Sequence, residues 1–392
     1  MDLRLEPESF PEVDVPARTL LYQRRRRGWS QLLYRRVWHI TESSKDNGVA
    51  RSDNGTPETV DLPRPELLRP PAIARGQAIG VVAPSYSPRE GQLLRGAKAL
   101  ERAGYEVILD PDILQLRRFT RKQDEHRAAN FMGMWLDPRV KAVIGGTGGY
   151  GATRMIPYLE PEVFRRNPKI FVGYSDITAL HLWLMRQANL RVFHGPTVDD
   201  LIPVLRDPST ASLLTAMTTP RPSGKLGRDI ARAVRPGRVT GTLTGGNLSL
   251  VQQTIRTSYE IDTRDSILFL EETSDPMSFA DERLVHLRAA GVLRNVKGVV
   301  IGQLSLDRSE EDEFEDFLLD LLSDLDVPIL MDFPAGHEVP NLTLPLGTEV
   351  ELVVDETTGW ISYKEDALSS WEPVESAEGP SEAIPTAETV TP

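Results

Sequence analysis

The fold of this chain is decided by the stretch Phe171-Val172-Gly173-Tyr174-Ser175-Asp176, where an apolar strand pattern runs into a serine and then into a helix-starting pattern. Such a turn holds the serine side chain at the carboxyl edge of a sheet. The first backbone N–H groups of the following helix then point at whatever reacts there. Ser175 is therefore a candidate nucleophile.

Strand and helix patterns alternate on both sides of this stretch. Four apolar runs are separated by helical patterns, and the runs cover residues 78–83, 105–109, 140–144 and 169–172. Alternation with short connections predicts an α/β fold with a doubly wound parallel sheet, whose sites lie outside the carboxyl ends of the strands. Ser175 and the glycine-rich run 145–151 both follow strand ends.

A second unit begins after a Pro-, Arg-, Thr- and Ser-rich stretch. We predict strands at 238–243, 267–270, 298–301 and 327–330, helices at 279–290 and 311–322, and a terminal hairpin of 349–354 with 360–363. This pattern favours a smaller C-terminal α/β domain rich in β structure. The predicted organisation is a basic arm and flexible linker (1–71), a nucleophile domain (72–203), a connection (204–237), a C-terminal domain (238–366) and a disordered acidic tail (367–392).

The composition of the 392 residues excludes several classes of function. A net charge of −12 argues against nucleic acid as the main partner, and the absence of cysteine excludes disulfides, thiolate catalysis and cysteine metal sites. No metal is predicted, because no His, Asp and Glu residues recur at metal-ligand spacing. With neither a secretory signal nor an apolar membrane span in the sequence, we expect a cytoplasmic protein.

One local exception to the acidic charge lies near the start of the chain. Arg24-Arg25-Arg26-Arg27 and Arg35-Arg36 alternate with aromatic and aliphatic residues, which is typical of a basic amphipathic segment. Docking on the folded domain or on a second subunit is favoured over binding to a membrane or another partner.

A serine nucleophile requires a histidine as base and a third group that orients the histidine. Six histidines are present. His337 is favoured because Phe333-Pro334-Ala335-Gly336-His337 forms a rigid loop after a predicted strand. His194, which follows a short apolar run, is the nearest competitor. For the third group, Glu271 and Glu272 both end a predicted strand, and strand alternation alone does not say which one faces the cleft.

The glycine run Gly145-Gly146-Thr147-Gly148-Gly149-Tyr150-Gly151 has three interpretations. It lacks the Walker lysine and its place in the chain does not suit a dinucleotide fingerprint, so a nucleotide site is disfavoured. Glycines can instead let backbone N–H groups approach a developing oxyanion. A purely structural turn remains open.

Taken together, these segments resemble peptidase family S66, the LD-carboxypeptidases and microcin C self-immunity peptidases. The resemblance is carried in order by Gly80-Val-Val-Ala-Pro-Ser85, Gly148-Gly-Tyr-Gly151 with Arg154, Gly173-Tyr-Ser-Asp176, His194-Gly-Pro196, Gly245-Gly-Asn-Leu248, Leu270-Glu-Glu272 and Pro334-Ala-Gly-His337. It covers about residues 72–363.

The resemblance implies a site between two domains, the first of which is like class I glutamine amidotransferases. Ser175 would be the nucleophile, His337 the base and Glu271 the orienting carboxylate. The backbone N–H groups of Asp176 and of the Gly148-Gly149 turn would hold the oxyanion, and within the turn that of Gly149 is favoured.

The implied reaction is hydrolysis of a peptide-type bond next to a free carboxylate, without a cofactor, by a homodimer acting on a small peptide or peptide conjugate. LD-carboxypeptidases tend to have arginine where this chain has Thr147, so the muropeptide substrate, although slightly favoured, stays open against a peptidyl or aminoacyl nucleotide. A binding protein without catalysis is the alternative of another class.

Overall fold

A computed structural model of the chain describes residues 66–115, 119–204, 206–273, 277–306 and 308–370, except for the side chains of 308, 309 and 311. The predicted basic arm, most of the predicted linker and residues 371–392 of the predicted tail lie outside the described residues. No helix in the described ranges is long and apolar enough to cross a membrane.

The first sheet has six strands in the order β2-β1-β3-β4-β5-β11. All neighbours are parallel except β11, which runs antiparallel to β5. This is the doubly wound sheet that the alternating pattern predicts. Its strands are β1 Ala78–Val82, β2 Glu106–Leu109, β3 Val140–Gly145, β4 Ile170–Gly173, β5 Val192–His194 and β11 Leu344–Leu346.

Helices cover both faces of this sheet, which explains why its central strands are apolar without alternation. In β4, Phe171 belongs to one core cluster, whereas Ile170 and Val172 belong to another. The α-helices of the described residues are α1 Glu90–Arg102, α2 Arg121–Leu136, α3 Ala152–Met155, α4 Pro161–Arg166, α5 Thr178–Ala188, α6 Pro208–Thr218, α7 Leu248–Gln253, α8 Met277–Ala289 and α9 Arg308–Leu321. Short 3₁₀ helices cover Ile156–Tyr158, Ser175–Ile177 and Val198–Asp200.

The second sheet has seven strands in the order β13-β12-β7-β8-β9-β10-β6. Its centre, β7 to β10, is parallel, and antiparallel strands complete both edges. The predicted terminal hairpin is confirmed as β12 and β13. These strands are β6 Arg232–Arg235, β7 Gly237–Asn247, β8 Ser266–Glu271, β9 Val296–Ile301, β10 Ile329–Met331, β12 Glu349–Val354 and β13 Gly359–Tyr363.

The segment predicted as a connection, 204–237, contains more structure than its composition indicates. It carries α6, whose N-cap Asp207 accepts a hydrogen bond from the Thr210 N–H, and the edge strand β6. Leu213 and Met217 of α6 are buried in the core of the first sheet. Tertiary packing therefore overrides a sequence that is rich in turn-forming residues.

The described chain also packs further toward both ends than predicted. Leu68 bridges to Leu190, although residues 1–71 are predicted to form a basic arm and flexible linker. At the other end Leu368 is buried, and the Ser369 N–H donates to the Pro70 carbonyl oxygen. The two ends hold each other against the first sheet, which a reading of local composition does not reveal.

The two sheets share one core and meet at the carboxyl ends of their parallel strands. Phe171 and Phe269, one from each sheet, belong to the same buried cluster. At the end of β7, the Asn247 N–H donates to Thr178 Oγ1 at the start of α5, over 3.1 Å. This contact brings the end of β7 against the turn that follows β4, where Ser175 lies.

Candidate active site

Ser175 occupies a strained turn between β4 and α5. Its φ is 59°, a left-handed conformation that is uncommon for a residue other than glycine. The residue begins the 3₁₀ helix that leads into α5, and it is half-buried at the carboxyl end of β4. This is the turn that the sequence predicts, and such strain in a non-glycine residue often marks a functional position.

The carboxylate of Asp176 ties this turn to two other loops. Its Oδ2 accepts a hydrogen bond of 2.6 Å from Ser85 Oγ and one of 2.8 Å from the Ala152 N–H. Ser85 follows β1, and Ala152 begins α3 just after the glycine run. The side chain of Asp176 is therefore a buried brace, and its backbone N–H is the group expected at the oxyanion position. The sequence pattern predicts no role for Ser85, although this residue ends one of the blocks that carry the family resemblance.

The glycine turn lies directly beside the serine. A Cβ on Gly148 would stand 3.2 Å from Ser175 Oγ, and the Gly148 carbonyl oxygen accepts a hydrogen bond from the Tyr86 N–H. Gly149 has a φ of 112°, and a Cβ there would lie 2.1 Å from the Tyr86 ring. Only glycine fits this position, so the backbone can pass close to Ser175. Within the described residues, the Gly149 N–H donates no hydrogen bond.

Glu271 and His337 are hydrogen bonded. Glu271 ends β8 and is fully buried, and its Oε2 lies 2.8 Å from Nδ1 of His337. His337 follows β10 in the loop that the sequence marked as rigid, and its side chain is 18% exposed. Gly336, with a φ of 141°, allows the approach, because a Cβ there would stand 3.1 Å from Glu271 Oε2. One ring nitrogen, Nδ1, is thus hydrogen bonded to a buried carboxylate, and the other, Nε2, has no hydrogen-bond partner in the described residues.

This pairing sets the protonation behaviour of His337. Burial lowers the pKa of the imidazole, but the hydrogen bond and charge of Glu271, with two further carboxylates nearby, outweigh burial and raise the pKa above its usual value. Burial also raises the pKa of Glu271, and the hydrogen bond from His337 opposes that rise. The pair therefore stabilises a proton on the imidazole, as a base that accepts a proton from serine requires.

Glu272 has a different environment from Glu271. Its carboxylate accepts hydrogen bonds from Asn247 Nδ2, from the Ser249 N–H and hydroxyl, and from the Thr273 N–H. These contacts hold Glu272 at the start of α7, and in the described residues it makes no hydrogen bond to His337. Alternation along β8 left the choice between the two glutamates open, and the structure pairs Glu271 with His337.

Ser175 follows β4 and His337 follows β10, and no hydrogen bond joins the two residues in the described part of the chain. The link between them is Tyr174, whose ring packs edge-on against the His337 ring with centroids 4.8 Å apart. Tyr174 is the residue before the serine. Catalytic hydrogen bonds are often long without substrate and shorten in the reacting complex.

His194, the competing histidine, does not suit the role of base. It is fully buried at the end of β5 between the rings of Tyr174 and Phe269, and burial holds its pKa well below the usual value. Neither ring nitrogen has a hydrogen-bond partner in the described residues. His181 is likewise buried inside α5, with a pKa lowered to about 3. The imidazole rings of His181 and His194 therefore pack in the protein interior.

Metal binding has no candidate in the described residues, where no group of three or more His, Cys, Asp or Glu side chains converges. The glycine run also offers no lysine for a nucleotide phosphate. The described site presents a serine, a histidine, a carboxylate and backbone N–H groups.

Comparison with known proteins assigns the family. The LD-carboxypeptidase N-terminal domain matches residues 79–195, and the LD-carboxypeptidase C-terminal domain matches residues 240–352. The chain belongs to peptidase family S66. Its two matched parts carry the serine turn and the glutamate respectively, as the ordered sequence blocks predicted.

Individual relatives agree with this assignment. The chain is 31% identical to a probable murein peptide carboxypeptidase of Bacillus subtilis, over 75% of this chain and 94% of that protein. Muramoyltetrapeptide carboxypeptidase from Oxalobacter formigenes is 27% identical, with a TM-score of 0.64 over 73% of this chain and 98% of the other. An MccF-like protein from Bacillus anthracis is 25% identical, with a TM-score of 0.67 over 75% and 98%. The chain therefore has the two-domain α/β fold of these peptidases.

Proposed function

We propose that this S66 peptidase is a serine carboxypeptidase, with Ser175 as nucleophile, His337 as base and Glu271 as the residue that orients the base. The observation that carries the proposal is the hydrogen bond of 2.8 Å between His337 Nδ1 and the buried Glu271 carboxylate, on the face where the strained Ser175 turn ends β4. The substrate bond is a peptide-type bond next to a free carboxylate.

In the first half of the reaction, Ser175 Oγ attacks the carbonyl carbon of the substrate while His337 Nε2 takes the hydroxyl proton. The C–N bond then breaks, and the imidazolium gives its proton to the leaving amine, which departs with its free carboxylate. Water next attacks the acyl-enzyme, again with His337 as base, and releases the acyl product and the free serine. Glu271 stabilises the imidazolium in both halves without taking its proton.

We assign the oxyanion site to the backbone N–H groups of Asp176 and Gly149. Two features support this assignment: the Gly148-Gly149 turn stands beside Ser175, and the Gly149 N–H has no other acceptor in the described residues. A donor of this kind typically contributes about 3 to 4 kcal/mol of transition-state stabilisation. The Asp176 brace to Ser85 and Ala152 fixes the relation between the two donors.

The proposed substrate is a muropeptide whose terminal residue is removed, as the names of two relatives suggest. Incubation of the purified chain with a tetrapeptide muropeptide, followed by mass spectrometry, is the direct test. Release of the terminal amino acid by the native chain, and not by Ser175→Ala, is the expected result. An intact tetrapeptide under conditions where a known LD-carboxypeptidase cleaves it would contradict this substrate.

A second substrate class, an aminoacyl or peptidyl nucleotide, is favoured by one observation. Tyr86 and Tyr150, which are 49% and 46% exposed, flank Phe119 beside the glycine turn, with ring centroids 5.7 and 5.0 Å from it. Exposed aromatic faces of this kind can stack a nucleobase. Trp183, in contrast, is buried in the core. An aminoacyl sulfamoyl adenylate assayed beside the muropeptide separates the two substrates.

A binding protein without catalysis on this fold would react differently with a fluorophosphonate probe. We expect the native chain to be labelled once, at Ser175, and Ser175→Ala to remain unlabelled. Equal labelling of both proteins would remove Ser175 from its proposed role.

Assembly and location remain predictions. We propose a homodimer located in the cytoplasm, and light scattering on the purified full chain tests the first point by giving the mass in solution directly. Fractionation of the producing cells tests the second.

A further inference from the structure

Gln303 lies between the two triad partners that the second sheet supplies. It directly follows Gly302 at the end of β9, next to β8, and it is partly buried. Its backbone joins the two neighbouring segments: the Gln303 carbonyl oxygen accepts from the Glu272 N–H over 3.0 Å, and the Gln303 N–H donates to the Ala335 carbonyl oxygen over 3.1 Å. One residue thus connects the end of the glutamate strand to the histidine loop.

The side chain of Gln303 makes two further hydrogen bonds, both to the loop that follows His337. Its Oε1 accepts a hydrogen bond of 2.7 Å from the Glu338 N–H, and its Nε2 donates one of 3.0 Å to the Pro340 carbonyl oxygen. A primary amide can make this pair of bonds because it carries both a donor and an acceptor. Serine, methionine or a carboxylate at this position would lose at least one of them.

The same side chain also limits where the histidine loop can lie. A Cβ on Gly336 would stand 3.2 Å from Gln303 Cβ and from Oε1, and 3.1 Å from Glu271 Oε2. Gly336, the residue before His337, is therefore enclosed between the Glu271 carboxylate and the Gln303 side-chain amide. Movement of the loop away from Gln303 would lengthen the bond between His337 and Glu271.

We propose that Gln303 is a positioning residue, which sets the His337 imidazole on Glu271 by clamping residues 338–340 with its side-chain amide. This inference rests on the proposed function, because the hydrogen bond that Gln303 preserves joins the proposed base, His337, to Glu271. Gln303 touches the loop and not the reacting atoms. A displacement of about 1 Å in a catalytic group can lower a rate about 100-fold.

The test measures the rate constant of fluorophosphonate labelling of the full chain from pH 5 to 9, which needs no knowledge of the natural substrate. Gln303→Met keeps the side-chain volume and removes both bonds. Gln303→Glu keeps an acceptor for the Glu338 N–H and removes the donor to Pro340. Gln187→Met is the matched control, since Gln187 Nε2 also donates to a backbone carbonyl, that of Ser258, but does so at the far end of α5.

We expect Gln303→Met to be labelled about 10- to 100-fold more slowly than the native chain and its pH midpoint to fall toward that of an ordinary histidine. Gln303→Glu should recover part of the rate, and Gln187→Met should match the native chain. Circular dichroism and thermal melting verify that each variant is folded. If Gln303→Met does not fold, a lowered rate in folded Gln303→Glu supports the inference and a native rate overturns it.

A native rate and midpoint in folded Gln303→Met would overturn the inference while leaving the proposed function intact. An equal loss in Gln187→Met would also overturn it, because the effect would then be general. Absence of labelling in the native chain is a separate result, since it contradicts the proposed function itself.

Discussion

His337 Nδ1 lies 2.8 Å from Oε2 of Glu271, and the two residues are 66 positions apart in the chain. The Glu271 carboxylate can reach the His337 imidazole because β8 and β10 are separated only by β9 in the second sheet. The other ring nitrogen, Nε2, makes no hydrogen bond in the described residues and is the atom that accepts the serine proton in the proposed reaction. Several measurable consequences depend on this pair.

The first prediction concerns the pH dependence of the reaction. The proposed base must be neutral to accept the Ser175 proton, and Glu271 raises the pKa of His337 above the ordinary value of 6.5. Activity should therefore be low in acid and rise with pH, with a midpoint above 6.5. Labelling rates of the native chain across this range give the midpoint, and a midpoint below 6.5 would contradict the assignment of His337.

The second prediction separates the two adjacent glutamates. Glu271→Gln removes the charge that raises the pKa of His337, so the midpoint should fall and the rate should drop about 10³- to 10⁴-fold. Glu272→Gln instead loses an acceptor for the Asn247 and Ser249 donors, which should lower the free energy of unfolding by about 1 to 3 kcal/mol. Denaturant unfolding and labelling, measured on both variants, check this contrast. A larger rate loss in Glu272→Gln would reverse the assignment.

The third prediction follows from the backbone of Ser175, whose φ is 59°. Alanine keeps the strain of a left-handed residue, whereas glycine releases it. Both Ser175→Ala and Ser175→Gly should be inactive. The free energy of unfolding of Ser175→Gly should be about 1 kcal/mol higher than that of Ser175→Ala. Urea denaturation of the two variants measures the difference, and equal stabilities would show that the turn is not strained.

Much of this site could be predicted from the sequence, because its residues end strongly patterned strands. The apolar run of β4 places Ser175, and the rigid loop after β10 marks His337. The fold class is predicted by the alternation of strand and helix patterns along the chain. These features are local, and local patterns decide them.

Other features depend on contacts between distant segments and could not be predicted from local patterns, and for Glu271 only the family resemblance made the choice. The choice of Glu271 over Glu272 depends on the twist and packing of β8, and the site of Leu344–Leu346 on the first sheet depends on a chain crossing. His194 looked available at a strand end, but Tyr174 and Phe269 enclose it. Gln303 carries no motif, because its function arises from four bonds to two other segments.

The last prediction tests the glycine turn as an oxyanion site. Gly149→Ala places a Cβ 2.1 Å from the Tyr86 ring at a φ of 112°, so the turn must shift and move its N–H away from the developing oxygen. Loss of one such donor typically lowers kcat about 100- to 1,000-fold. Gly224→Ala is the matched control, because Gly224 has a φ of 118° but no atom within 4 Å of its Cβ position. The control thus carries the same backbone strain without a clash and should keep native activity. A native rate in folded Gly149→Ala would exclude this N–H from the oxyanion site, and the Asp176 N–H would then need another partner.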